Sequence, residues 1–534
     1  MSRELKLEEC THSMRATHGV EINGSRLLRS GALIALACVA LVILGVSLWE
    51  TQGVQVGVPL DQFTGYLNER LPELMDHFGI PGTAIAIVRN GEPVWSEAYG
   101  FADVNDVRPI TTSTPCRVES ISKSVTAWGV MRLVEQGKIR LDDPVEPHLG
   151  DWTLPESGFP SEQVTIRRLL SHTAGMPLGD IFERYSPGED IPTLSESLAE
   201  KAVVEREPGS TFSYSNTGFD LLELMVEEVT GRDFAEYMRD EILLPLGMDH
   251  SHFAWSGSFD PPVANGHDQK GQPVPVYVYP ATASGGLFST VDDIARFVAA
   301  GMTRFGDTGR AVLSPETIAK LYVPVVDTAS FYRIVFDAYG YGHFIENLSN
   351  GYRSVAHGGQ GYGWMTHFHA VPETGDGIVI LTNSQRSWPF FAYVLSDWAR
   401  WIGAGSVGMG KIIIARRVLL ALVSLIAIIS LWRLLCVVHG LASRRRRFAP
   451  LGRDSRASRL VQGALSIVLC LGILWCVSTD YLLLTSIFPV VSGWLWLALS
   501  VCALALLMSS LAPEATPGHQ TRHDSKPREM RKIL

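Results

Sequence analysis

Three short stretches carry residue types that do acyl-transfer chemistry. "VESISKSVT", Val118 to Thr126, sets Ser120 three residues before Lys123 at the start of a helix-like run. A serine oxygen there lies at the positive end of a helix dipole, where a developing oxyanion is stabilised. Lys123 sits one turn along on the same face; in a buried pocket its ammonium loses solvation, its pKa falls and it can take the serine proton. Chance supplies this spacing about once or twice in a chain of this length. A helix-capping serine beside a solvent-facing lysine also fits it. "PGSTFSYSNTGFDLLELMVEEVTG" puts Tyr214 and Asn216 two residues apart ahead of a helix. The phenol can shuttle a proton and the amide can hold a substrate amide. "VAHGGQGYGWMTHFHA" leads into a strand through His357, Gly358 and Gly359, where paired glycines let a substrate backbone approach closely. Alone, these two read as a tyrosine corner and a glycine-rich bend; together and in this order they point to one site.

The elements that must position these residues lie between about Leu60 and Ile402, which read as one mixed α/β unit. "GTAIAIVRNGEPVWSEAYGFADV" is two β-rich runs around Asn90-Gly91, a strong hairpin signal. A helix-rich stretch follows, then a second hairpin over Tyr362 to Ser384 and a closing amphipathic helix, "PFFAYVLSDWARWIG". Strands at both ends with helices between predict a central antiparallel sheet, built from N- and C-terminal segments and flanked by helices.

Charge and hydropathy divide the rest. The chain has 534 residues and a net charge of −10. Residues 50–402 hold 24 Lys and Arg against 46 Asp and Glu, whereas residues 403–534 hold 16 against 5. An acidic middle argues against nucleic acid as a partner. The basic C-terminal part surrounds apolar spans at Leu419–Val438, about Leu460–Ser478 and about Ile487–Leu511. Gly31–Trp49 is a fourth, 19 residues without a charge and about 28 Å long as a helix. It reads as an uncleaved anchor after a cytoplasmic tail, residues 1–30, with a signal peptide as the competing reading. "SRRRRFAPLGRDSRASR" carries seven arginines and one aspartate, and "TDYLLLTSI" has no Lys or Arg. The positive-inside rule therefore puts the arginine loop and both tails in the cytoplasm, with the acidic domain, residues 55–403, outside the cell membrane. Residues 404–534 form the membrane region. Arg416 and Arg417 lie on the wrong side of this scheme, and Arg433 falls near the inner end, where it can snorkel.

Several chemistries lack their residues. Only Cys116 of seven cysteines lies outside the tail and the apolar regions, so the acidic domain has no internal disulfide. Neither a CxxC pair, a GxGxxG after a strand nor a phosphate-binding GxxxxGK[ST] loop is present, so no cofactor is expected. His367 and His369 share a strand face but have no third metal ligand nearby in sequence, and a structural role is expected. His172, His250 and His252 read as loop and turn polar groups.

With "TIRRLLSHTAGMP", "LLPLGMDHSHF" and "ASGGLFSTVDDIARF" beside the three stretches above, residues 60–402 resemble the serine β-lactamase and penicillin-binding-protein superfamily. The similarity is to its class C-like branch of β-lactamases, esterases and D-amino-acid peptidases. The resemblance implies a β-lactamase/transpeptidase-like α/β (α+β) fold, and a membrane-anchored serine hydrolase acting through an acyl-enzyme on a small-molecule or peptide substrate. It implies Ser120 as nucleophile, Lys123 as its partner and Tyr214 as general base. Asn216, His357, Gly358, Gly359 and Gln360 would bind substrate, with the Ser120 and Gln360 N–H groups as oxyanion donors. The family's third motif is usually Lys-Thr-Gly; His357-Gly358-Gly359 replaces a fixed ammonium by an imidazole. That favours esters, or amides whose carboxylate is not the main handle, over a dedicated β-lactamase. The layout is similar to membrane-bound prodrug-activating peptidases that remove an N-acyl-D-amino-acid cap. A β-lactam-binding sensor with little turnover is the alternative from another class.

Overall fold

The computed structural model describes residues 53–179, 183–450, 456–479 and 482–514. The segment Gly31–Trp49 lies outside the described residues. The chain divides into two compact units, one running to Leu419 and taking in Trp475–Leu495, the other made of Leu420–Leu474 and the stretch from Trp496.

The first unit is built on a nine-stranded sheet. Its strands are β1 (Gly82–Arg89), β2 (Glu92–Asp103), β3 (Arg108–Pro109), β4 (Val326–Asp327), β5 (Ala338–Tyr339), β6 (Phe344–Asn347), β7 (Arg353–Gln360), β8 (Met365–Val371) and β9 (Asp376–Thr382). Their order is β3-β2-β1-β9-β8-β7-β6-β5-β4, with every neighbouring pair antiparallel. Asn90 and Gly91, at φ 50° and 71°, close the β1–β2 hairpin; such left-handed values match the twist of the flanking strands. β1 then pairs with β9, Ile85 opposite Ile380, so the two ends of the domain meet within the sheet.

Five long helices belong to the elements that follow: α1 (Leu60–Phe78), α2 (Ile121–Glu135), α3 (Asn216–Thr230), α4 (Val291–Ala300) and α5 (Trp388–Trp401). Strand alternation sends Ala84, Ala86, Val88, Val379 and Leu381 into one core with Val125 and Trp128 of α2 and Phe219 of α3. The opposite face meets α5, with His367 and His369 against Phe391 and Trp398 at ring separations of 6.0 and 5.6 Å. α1 closes over α5 through Phe63 stacked on Trp401 at 4.2 Å.

α2 runs through the middle of the domain, with only Arg132, Val134 and Glu135 reaching its boundary. Its buried hydroxyls cannot reach water, so each is satisfied inside: Ser122 donates to Glu119 O (2.6 Å), Ser124 to Gly342 O (2.6 Å) and Thr126 to Ala283 O (2.9 Å). These bonds tie the helix to the loops that wall the site.

The chain continues into α6 (Lys411–Ala442), α7 (Arg456–Ser478), the one-turn α8 (Leu483–Ile487) and α9 (Pro489–Leu511). α6, α7 and α9 are each long and apolar enough to cross a membrane. α6 starts eight residues ahead of the expected span, because its basic first turns are absorbed by the domain. Arg416 is buried and donates to Tyr393 Oη (2.8 Å), with its other nitrogen 2.9 Å from His77 Nε2. The link between α7 and α9 also packs on the domain: Ser486 donates to Gln385 O (3.1 Å), and Gln269 donates to Leu482 O (3.2 Å).

Candidate active site

The residue ahead of Ser120 sets the site. Glu119 is buried with φ 51°, a left-handed conformation that disfavours a side chain. Arg117 holds it through a 2.8 Å ion pair, and Tyr277 and Tyr279 donate to its two oxygens at 3.0 and 3.1 Å. Arg117 in turn donates to Tyr277 O (2.6 Å) and Gly285 O (3.2 Å), so pair and loops are locked together. Glu119→Gln strands the fully buried Arg117 charge. A loss of about 3 kcal/mol of unfolding free energy is expected in a denaturant titration.

From this turn Ser120 starts α2. It occupies the N-cap position, yet its side chain makes no capping bond. Its hydroxyl instead meets Lys123 Nζ at 3.3 Å and is hydrogen-bonded to the Tyr214 phenol. Lys123 is fully buried, with Nζ also 2.7 Å from Asn216 Oδ1 and 2.6 Å from Ser284 O. Burial pushes its pKa down to about 7, against the pull of Asp220 and Glu119. A neutral amine keeps two donors for Asn216 and Ser284 and turns its lone pair toward the serine.

Tyr214 and Asn216 straddle Ser215, whose hydroxyl caps α3 by accepting from Gly218 N (2.8 Å) and donates to Pro177 O (2.5 Å). That anchors the middle residue and leaves its neighbours to face Ser120. Burial, with Tyr332 beside it, holds the Tyr214 phenol well above 10, and the Ser120 bond works against this only in part. The phenol is therefore protonated at neutral pH.

The cleft has Ser120, Asn216, Ser284 and Gln360 in its lining. On its β7 side, Gly359 meets the strand of chain leading to Ser120: a Cβ there would come within 2.1 Å of Val118 O. Gly361 lies against Glu119, where a Cβ would be 2.3 Å from the carboxyl carbon. Gly361 N–H bonds Trp364 O (3.0 Å), and ladder alternation then turns the Gln360 N–H away from β8. Gly358 pairs with His367 across the ladder. His357 is spent in the wall: its Nδ1–H donates to Gly358 O (2.9 Å) and Nε2 lies 3.2 Å from Tyr339 Oη. Burial and the charge on Lys123 hold it well below 6.5, so it is neutral. His367 and His369 form a line toward Glu346 (3.5 and 3.8 Å) rather than a convergent ligand set.

Sequence reasoning missed several residues of this site. Asp220, one turn beyond Asn216 on α3, lines the cleft with its Oδ1 unpartnered among the described residues. Burial pushes its carboxyl up to about 6, opposed by a Ser284 hydrogen bond and by Lys123. The i, i+4 spacing from Asn216 was the available signal. His172, at φ 56°, packs its ring 4.3 Å from Tyr214 and accepts from Ser215 N (3.2 Å). Gln385 donates to Gly361 O (2.9 Å), placing the α7–α9 link one residue from the cleft wall. No local pattern announces those two contacts.

Comparison with known proteins agrees with this geometry. The family model described as Beta-lactamase matches residues 67–394. Penicillin-binding protein 4 of Amycolatopsis lactamdurans is 27% identical over 342 residues, 62% of this chain and 88% of that protein. Protein flp of Staphylococcus aureus (strain MRSA252) is 28% identical over 228 residues, covering 41% of this chain and 45% of flp, so the match spans under half of that relative. Among solved structures, the octameric penicillin-binding protein homologue from Pyrococcus abyssi is 32% identical with a TM-score of 0.52, covering 60% of this chain and 73% of that one. SurE, solved with D-Leu, is 25% identical with a TM-score of 0.52, covering 65% and 76%.

Proposed function

The chain belongs to the beta-lactamase family, and from that premise we propose that it is a membrane-anchored, extracytoplasmic serine hydrolase. It cleaves amides or esters through an acyl-enzyme on Ser120. The observation that carries this is the buried Lys123 amine, 3.3 Å from a serine hydroxyl that caps nothing. Neutral Lys123 takes the Ser120 proton as Oγ attacks the carbonyl. Tyr214, protonated, passes a proton to the leaving group as the Lys123 ammonium replenishes it. The N–H groups of Ser120 and Gln360 are assigned to the oxyanion. Water then releases the acyl group with the same residues acting in reverse.

The cleft favours substrates without a carboxylate handle. Lys123 is engaged with Asn216, Ser284 and Ser120, Lys201 is paired with Glu183, and the position of the family's ammonium is a neutral, buried His357. An amide or ester of a D-configured amino acid fits, a preference supported by the D-Leu that SurE holds. Two observations support the orientation in the membrane. Arg416, the apparent exception to the positive-inside pattern, is held by Tyr393. The α7–α9 link, expected outside by its lack of Lys and Arg, bonds the hydrolase domain.

Esters, D-aminoacyl amides, an N-acyl-D-asparaginyl amide and β-lactams, each tested on the full chain and on Ser120→Ala, separate the readings. Turnover of D-aminoacyl amides or esters supports the proposal. A β-lactam acyl-enzyme that never deacylates, with no turnover of the rest, would replace it by a sensor.

Because kcat/KM needs neutral Lys123, it rises with pH through an acid limb near 7. Asp220 raises that pKa, so Asp220→Asn moves the limb down by about one unit. A pH–rate profile reads the shift; an unmoved limb would show that the two groups do not interact.

A further inference from the structure

The membrane unit contains a cavity that the hydrolase reading leaves unused. It lies between the end of α6 and the ends of α7 and α9 nearest to it, and its lining includes Trp432, Arg433, Arg446, Arg459 and Gln462. Arg459 is buried and fixed as part of the wall, donating to Ser510 O (2.7 Å) and Pro450 O (3.1 Å). Arg446 donates to Ala512 O (3.1 Å) and pairs with Glu514 at 2.9 Å. Glu514 is the lining's one carboxylate among the described residues, set against three guanidinium groups. The cavity thus has an excess of positive charge at the edge of three apolar spans.

Charge in that position is costly without a counter-charge, and the groups that a bilayer supplies at that depth are headgroup phosphates. We propose that this cavity binds the phosphodiester of an anionic phospholipid, with Arg433 and Arg446 gripping its oxygens. Arg433 and Trp432 lie on α6 about 14 and 15 Å from its end at Ala442, near the inner end of the span, from which the Arg433 side chain can snorkel to the headgroup phosphates. Ile429 and Leu422, each about half exposed, lie on the same face of α6 from Arg433 toward the bilayer middle and offer the acyl chain an apolar surface. A free phosphate has no use for that face, which favours the lipid as the source. The proposal rests on reading α6, α7 and α9 as membrane spans.

Native mass spectrometry of the full chain, released from nanodiscs of equal phosphatidylglycerol and phosphatidylcholine, tests it. The expected result is retained phosphatidylglycerol in excess over phosphatidylcholine, not displaced by inorganic phosphate. Arg433→Gln, an exposed position, lowers the retention about fivefold, and Arg433→Gln with Arg446→Gln brings the two lipids to parity. Arg447→Gln, in the same arginine run but outside the cavity lining, leaves retention unchanged. Equal loss in Arg447→Gln, no loss in the double variant, or displacement by phosphate would overturn the lipid site. A chain that fails to enter nanodiscs at all would overturn the spans, and the site with them.

Discussion

Ser120→Ala leaves a folded protein whose kcat/KM on any ester or amide that the chain cleaves falls by about 10⁴-fold or more. The nucleophile is the atom that forms the bond, and neither Tyr214 nor Lys123 can take its place with the carbonyl held for Ser120. Fold should survive, because the hydroxyl caps nothing and the turn is held by the Arg117–Glu119 pair beneath it. Circular dichroism and a thermal melt unchanged beside the lost activity would separate chemistry from misfolding. Hydrolysis persisting in this variant would remove Ser120 from the reaction.

Lys123→Met costs about 10³-fold and also removes the acid limb of the pH–rate profile. Methionine keeps the length of the stem without the amine, so the Ser120 proton loses its acceptor. The alternative base, a Tyr214 phenolate, is disfavoured because burial holds that phenol well above 10. The two assignments differ in sign as well as size. With lysine as base the wild-type rate climbs as pH passes about 7, whereas a tyrosinate base would keep it climbing far into the alkaline range. Asn216 and Ser284 lose a donor in the variant and Asp220 loses a neighbouring cation, but the Arg117–Glu119 pair stays whole, so the melt should move less than in Glu119→Gln.

What was legible in the sequence follows from how local each signal is. Asn90-Gly91 announces the β1–β2 hairpin because a two-residue turn demands left-handed backbone, and the structure closes it there. That N- and C-terminal segments share one antiparallel sheet followed from strands lying at both ends of the domain; that β1 pairs with β9 is seen only in the structure. Ser120, Lys123, Tyr214 and Asn216 were readable as motifs, and the structure brings them together around Lys123 Nζ. The Glu119 network was not readable, since its partners Tyr277 and Tyr279 lie some 160 residues away. His357 was read as facing substrate, and the structure turns it into the wall behind Gly358, held by Tyr339 on another strand. Arg416 looked misplaced by charge counting; its partners Tyr393 and His77 come from two other helices, 23 and 339 residues away.

The central claim is a covalent acyl intermediate on Ser120. Incubating the full chain with a fluorophosphonate serine probe, then locating the adduct by peptide mass spectrometry, tests it most directly. The account predicts one adduct, on Ser120, absent from Ser120→Ala and formed far more slowly in Lys123→Met. Full labelling of Ser120→Ala, or hydrolysis that continues while wild-type Ser120 is completely modified, would contradict it.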